Sequence, residues 1–342
     1  MCSSLKKAVA AGIGLFICFI ALQTAKIIVN NDAVLVGLVS FKNAPFHTQG
    51  ICALLAIVGT VFTGVMMAHR VKGAILFGIF LTWGLGMFCQ ALGVYVPDAE
   101  KGYFSLYPVL TFAGIADSFA QFKQTFCAVF DPAGWTHKGD PNTGWALVKG
   151  LDFFVVMFAF FFVDLFDTLG TLIGVSMKGG FLTKEGKLPR ISGALCADAI
   201  ATSVGAVFGT STTTTYVESA SGVMVGGRTG LTGVTTAVLF LAAIVFAPIF
   251  LAVPAFATAP ALIIVGYLML SSVVEIDFND AGEAIPAFLT VAVMPFSYSI
   301  SDGIMAGVIS YTLINLIAGK TKKIHWIMYV LTVVFIAKYA LM

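Results

Sequence analysis

The chain has 342 residues, 59% of them hydrophobic and only 11% charged, with mean hydropathy +0.98. Soluble domains carry roughly 25% charged residues, so a soluble fold is excluded. The net charge of +2 is small and its Lys and Arg residues sit in short clusters, which excludes the basic face a nucleic-acid partner needs.

In chain order, apolar runs long enough to cross a bilayer recur over the whole length. "MCSSLKK" leads straight into "AVAAGIGLFICFIALQTAKIIV", an apolar run that continues to Val29 rather than the short core of a signal peptide, so residues 8–29 read as a spanning helix. Further helices are expected at 51–68, 73–96, 151–177, 191–208, 231–253, 258–275, 282–299, 303–319 and 325–341. The stretch 97–150 contains "DPAGWTHKGDPNTGW", whose Pro, Gly, Asn and Asp mark an exposed loop, and "YPVLTFAGIADSFAQFKQTF", which reads as a short surface helix. Lys6, Lys7, Arg70, Lys72, Lys178, Lys184, Lys187, Arg190, Arg228, Lys320, Lys322 and Lys323 fall on one side of the membrane when the N-terminus is cytoplasmic and residues 209–227 return the chain. The expectation is a multi-pass protein of the cytoplasmic membrane with 97–150 outside.

The segment "GTSTTTTYVESASGVMVGG", Gly209 to Gly227, interrupts this pattern. Thr is β-branched and favours extended chain, so "TSTTTTY" is expected to be a short strand. "VESASGVMVGG" is expected to be a half-length helix starting near Tyr216, with Glu218 in its first turn. Non-helical backbone is tolerated at membrane depth only where it lines a cavity or is buried in protein. A half-helix there turns its positive end toward bound ligand, as transporters do.

Carboxylates inside a membrane are costly, at roughly 2.5–3.5 kcal/mol on insertion scales. Asp164 and Asp167 stand three apart in "FFFVDLFDTLGTLIG" and share one helix face. Thr168 and Thr171 lie beside them, and Gly170 and Gly174 permit close approach of another helix. Asp198, in "CADAIATSVG", is a further apolar-run acid; for Asp164 and Asp198 a structural role and a functional one weigh equally. Asp167 and Glu218 are the favoured functional acids. A carboxylate can accept hydrogen bonds from ring N–H groups of a planar heterocycle, and a desolvated one can take up a proton with it. Phe166 and Tyr216 could stack on such a ring. Cys2, Cys18, Cys52, Cys89, Cys127 and Cys196 show no CxxC spacing and read as small apolar thiols. The histidines are scattered, so neither a metal nor another cofactor is expected. No Gly-x-Gly-Asp or His-based motif suggests an intramembrane enzyme.

"FFVDLFDTLGTLIGV", "GTSTTTTYVESASGVMVGGRTGLTGV", "PALIIVGYLML" and "AIPAFLTVAVMPFSYSISDGI" together resemble the azaguanine-like purine permeases. These form the adenine/guanine/hypoxanthine branch of the nucleobase–cation symporter-2, or nucleobase–ascorbate, superfamily. The resemblance covers nearly the whole chain. It implies an all-α polytopic membrane protein built on a seven-plus-seven inverted repeat, with a strand plus half-helix at the substrate site, and proton-driven uptake of purine nucleobases. On that pattern Asp167 and Glu218 contact the purine, with Thr171, Thr214, Thr215, Ser219 and Phe166 lining the site. Glu218, Asp167 and Asp164 are the proton-coupling candidates. Residues 1–96 correspond to family segments five to seven of the gate domain, 97–150 to an extracellular loop and 151–253 to segments eight to eleven of the core domain. Residues 254–342 supply the remaining gate helices and a C-terminal hydrophobic segment. The resemblance also implies a homodimer through the gate domain, and an N-terminally truncated chain lacking about four segments. The alternative expectation is a non-transporting remnant or assembly partner.

Overall fold

The computed structural model describes residues 3–31, 34–42, 44–98, 100, 102–108, 119–120, 122–130, 151–183 and 188–341. The chain is helical: α1 (Ser3–Thr24), α2 (Ile51–Ala68), α3 (Ala74–Ala91), α4 (Leu151–Gly179), α5 (Ile191–Phe208), α6 (Ser219–Val225), α7 (Gly230–Val245), α8 (Ala247–Phe250), α9 (Ala255–Leu270), α10 (Ala281–Ser297), α11 (Ile300–Ile317) and α12 (Trp326–Leu341). Among the described residues six helical stretches are long and apolar enough to cross a membrane: Ser4–Thr24, Phe46–Ala68, Ala74–Ala91, Ile191–Phe208, Ala255–Val274 and Ile300–Ile317. The protein is a multi-pass membrane protein, as its composition requires.

Three expectations need correction. The first helix stops at Thr24 rather than Val29. Lys26 takes a left-handed conformation (φ 62°), and the chain enters an antiparallel hairpin of β1 (Ile28–Asn31) and β2 (Leu35–Leu38), with Ile28 opposite Leu38. Ile27, Ile28 and Val29 are β-branched and are followed by turn-forming Asn residues, so the local preference is strand. The helix expected at 231–253 breaks at Phe246, because Pro248 opens α8 and has no N–H to continue the α7 ladder. The expected strand at 210–216 has no ladder partner among the described residues and runs as irregular chain. Residues 109–118 and 131–150 lie outside the described residues, and with them most of the expected surface helix and loop.

The chain divides into two compact units. One comprises Gly14–Ser118 and Met224–Leu268. Its core gathers Ile51, Leu55, Trp83, Leu106 and Phe256. There α2 packs on α3 through a reciprocal device. A methyl group added at Gly59 would collide with the Thr82 hydroxyl, and one added at Gly78 would collide with the Thr63 hydroxyl. Each threonine is fully buried, and its hydroxyl donates to the carbonyl of the glycine four residues earlier, Thr63 to Gly59 at 2.7 Å and Thr82 to Gly78 at 2.8 Å. The polar atoms are thus satisfied within their own helices, leaving the seam between them to close contact.

The other unit comprises Met1–Ile13, Phe119–Val223 and Met269–Met342, so α1 is divided between the two. Here α10 and α11 pack along Gly303 and Gly307, where an added methyl would strike Met294 and Thr290. Helix α4 lies against the first half of α1: a Cβ at Gly170 would stand 2.6 Å from Val9 Cγ1, and one at Gly174 would stand 3.2 Å from Ala10 Cβ. The close approach expected of these two glycines is borne out. Helix α10 contains Pro286, which cannot donate to the carbonyl of Gly282. That carbonyl instead accepts from the Asn315 side chain of α11 at 2.8 Å.

At the start of α10, Asp280 accepts from the Gly282 N–H at 3.0 Å and serves as N-cap. Its two oxygens also accept from Lys320 (2.9 Å) and Lys323 (2.8 Å). The hydrogen bonds from Lys323 and Lys320 hold its carboxyl well below the usual carboxylate range. Glu283, one turn on, accepts from the Ser4 hydroxyl.

Candidate functional site

The acids of α4 are placed by α5. Asp198 on α5 accepts a hydrogen bond from the fully buried Thr168 of α4 at 3.0 Å. Asp164, Asp167 and Asp198 stand within electrostatic reach of one another, all three half-buried. One turn beyond Asp198, Thr202 donates to the carbonyl of Thr213 at 3.0 Å. A further turn along, Gly205 leaves room for the Thr-rich chain: an added Cβ would stand 2.7 Å from Thr210 Oγ1 and 2.9 Å from Thr213 Oγ1. Asp198, Thr202 and Gly205 are spaced i, i+4 and i+7, so they form one stripe on α5. That stripe holds the acid helix at one level and the Thr-rich segment at the next.

The turn into that segment is a helix stop. Gly209 adopts φ 76°, its N–H donates to Ala206 and the Thr210 N–H donates to Gly205 at 2.9 Å, which is the paired bonding of a Schellman cap. After it the chain runs irregularly through Thr215. A short half-helix is present, but it begins at Ser219 rather than near Tyr216. Glu218 sits in the turn just before it, with its carbonyl accepting from the Ser221 hydroxyl.

The expected site residues are thus distributed unevenly. Asp164, Asp167 and Thr171 come together on α4, with Thr171 fully buried. Thr214 and Thr215 are half-buried in the irregular segment, while Glu218 and Ser219 are exposed. The side chain of Phe166 lies outside the described residues, and Tyr216 is exposed. Two buried oxygens on α4 have no hydrogen-bond partner among the described residues, Asp164 Oδ1 and Thr171 Oγ1. Unsatisfied buried polar atoms are rare in folded proteins, and each asks for an explanation such as a ligand or water. Thr168 and Thr202 were not singled out as site residues, although the polar and small residues in "DAIATSVG" already recur at helical spacing. Among the described residues no group of His, Cys, Asp and Glu has the arrangement of a metal site.

The chain matches the family of xanthine/uracil permeases, described as a permease family, over residues 4–306. A relative in Methanocaldococcus jannaschii is 43% identical over 337 residues, which is 98% of this chain and 69% of the relative. The guanine/hypoxanthine permease PbuG of Bacillus subtilis is 41% identical, over 97% of this chain and 67% of its own length. The adenine permease AdeP of Escherichia coli is 36% identical, over 98% of this chain and 66% of its own length. The chain spans about two thirds of the length of these relatives.

Proposed function

The chain belongs to the xanthine/uracil permease family, and on that premise we propose that it is a proton-coupled symporter importing purine nucleobases such as adenine, guanine or hypoxanthine. It is a transporter and not an enzyme. The observation that carries the reading is the cluster on α4, where acids share a half-buried face with two oxygens that have no hydrogen-bond partner among the described residues, Asp164 Oδ1 and Thr171 Oγ1. A purine offers ring N–H donors and ring N acceptors in one plane. A carboxylate satisfies the donors and a threonine hydroxyl satisfies an acceptor. In this reading Asp167 accepts from the purine, Thr171 turns its hydroxyl toward it, and Glu218, from the turn before α6, supplies the second carboxylate. Thr214, Thr215, Ser219 and Phe166 line the remainder.

Proton coupling follows from crowding. Several carboxylates within electrostatic reach repel one another when all are ionised, so one proton taken up with the neutral substrate relieves the cluster. Glu218, Asp167 and Asp164 are the candidates to carry it, with no cofactor beyond the proton gradient. The proposed unit is a homodimer with its N-terminus in the cytoplasm. The names of PbuG and AdeP support the purine assignment.

The test is uptake of radiolabelled hypoxanthine and adenine by purine-transport-deficient cells expressing this chain, with membrane insertion checked by blotting. The expected result is pH-dependent uptake that Glu218→Gln abolishes and Asp167→Asn weakens at unchanged protein level. Uptake undiminished in Glu218→Gln would remove that residue from the site. No uptake from an inserted wild-type chain would overturn the transport reading in favour of a non-transporting assembly partner.

A further inference from the structure

In the unit formed by Gly14–Ser118 and Met224–Leu268, one end of the helices encloses a cavity of about 420 Å³. It lies where α1 and α3 finish and α2 and α9 begin, so it sits at the level where a spanning bundle leaves the hydrocarbon. Its wall is fixed. Trp83 donates to the carbonyl of Leu106 at 2.9 Å and Tyr95 to that of Phe104 at 2.8 Å. Gln90 accepts from the Leu106 N–H at 2.8 Å and donates to Ser105 at 3.0 Å. Three side chains therefore hold an irregular segment as a rigid lip.

A second cavity of about 420 Å³ adjoins the first, and the two share Thr24, Lys26 and Tyr103. Their linings differ in kind. The first is backed by Leu106, Leu251 and Phe256, whereas the second presents Gln23, Asn30 and Gln49. Lys26 lines both cavities and so stands at their junction. Burial pushes the Tyr95 phenol up to about 12 and raises Tyr103 as well, so both are neutral. Among the described residues no carboxylate lines either cavity. The combination is a cation at the seam between an apolar chamber and a hydrogen-bonding one, of the size that takes small ligands.

We infer that this paired cavity is a binding site for the anionic phosphate headgroup of a membrane phospholipid, held by Lys26 with Tyr103. The upper acyl chain lies against Phe256 and Leu106, and the headgroup polar atoms meet Gln23, Asn30 and Gln49. A lysine at a helix end already complements the negative pole of its own helix. That role needs neither the cavity nor the braced lip, and the left-handed backbone at Lys26 would suit Asn equally.

That last point supplies the variant. Lys26→Asn keeps a residue that tolerates positive φ and removes the charge, while Lys26→Arg keeps the charge. The full chain, purified in detergent, is titrated with dioleoyl-phosphatidylglycerol or dioleoyl-phosphatidylcholine, and bound lipid is counted by native mass spectrometry. The expected result is one phosphatidylglycerol per chain, preferred about five- to tenfold over phosphatidylcholine. Lys26→Asn abolishes the preference, Lys26→Arg retains it, and 10 mM inorganic phosphate does not displace the lipid. Equal retention of the two lipids, or a preference unchanged in Lys26→Asn, would overturn the inference. Displacement by phosphate would overturn the lipid assignment and leave a site for small anions.

Discussion

Asn315 and Pro286 make a quantitative test of how this membrane fold satisfies its backbone. Pro286 leaves the Gly282 carbonyl without its helical donor, and Asn315, fully buried, supplies one at 2.8 Å from the next helix. Its second amide hydrogen goes to Tyr311 at 2.9 Å. Asn315→Ala strands the Gly282 carbonyl in the protein interior, which costs about 1–3 kcal/mol, with a further contribution from the emptied volume. At this chain length each kcal/mol moves the melting midpoint by no more than about 2 °C, so the stranded carbonyl is expected to lower it by at most about 2–6 °C, read by intrinsic tryptophan fluorescence in detergent. The decisive arm is the double variant. Pro286→Ala restores an N–H that can reach Gly282, so in that background Asn315→Ala should cost less by about 1–3 kcal/mol, the carbonyl penalty alone. Equal losses in the two backgrounds would refute the substitution of a side-chain donor for the missing backbone donor.

Two further outcomes are expected. Gly78→Ala drives a methyl into the Thr63 hydroxyl and should destabilise the protein by about 1–3 kcal/mol. Adding Thr63→Ala should recover most of that loss, and a melting curve without recovery would show that the two helices do not meet through this contact. Asp280 has a depressed folded pKa, so its contribution to stability is complete above its unfolded value of about 3.9 and is lost as the pH falls below that value toward the folded one. Asn also serves as an N-cap, so Asp280→Asn removes the lysine pairs and keeps the cap. Its melting midpoint should therefore lie below that of wild type at pH 7, and the gap should narrow progressively as the pH falls below about 3.9, whereas a constant difference at every pH would sink the ion-pair account.

How far the fold could be read in advance depended on local punctuation. The helices at 51–68 and 191–208 were legible to the residue because His69–Arg70 ends one, and Pro189 and Gly209 bracket the other. The first helix was read too long because hydropathy does not distinguish a strand of Ile and Val from helix, while the Asn residues that follow do. The Thr-rich segment was legible as a break in the helical pattern but not as irregular chain, since its β-branched composition favours a strand and a strand exists only with a partner. At the candidate site the acids of α4 were visible as misplaced charges in an apolar run. Their bracing by Thr168 and Asp198 was not, because that bond joins residues 30 apart across two helices. The stripe Asp198, Thr202, Gly205 could have been found by asking which face of α5 is polar rather than which residues are charged.

The division of α1 bears on how the protein is made. The first residues of this helix are finished early, yet Ser4 meets its partner Glu283 279 positions later in the chain. At about 5–20 residues per second of synthesis, that interval is roughly 14–56 s. During it, Ala8, Val9, Ala10, Ala11, Gly12 and Ile13 must wait in lipid or against an insertion factor. All are apolar, and none carries a side-chain donor or acceptor that would go unsatisfied. The face that later admits Met294 at close range is thus also one that a half-made protein can leave exposed to hydrocarbon without penalty.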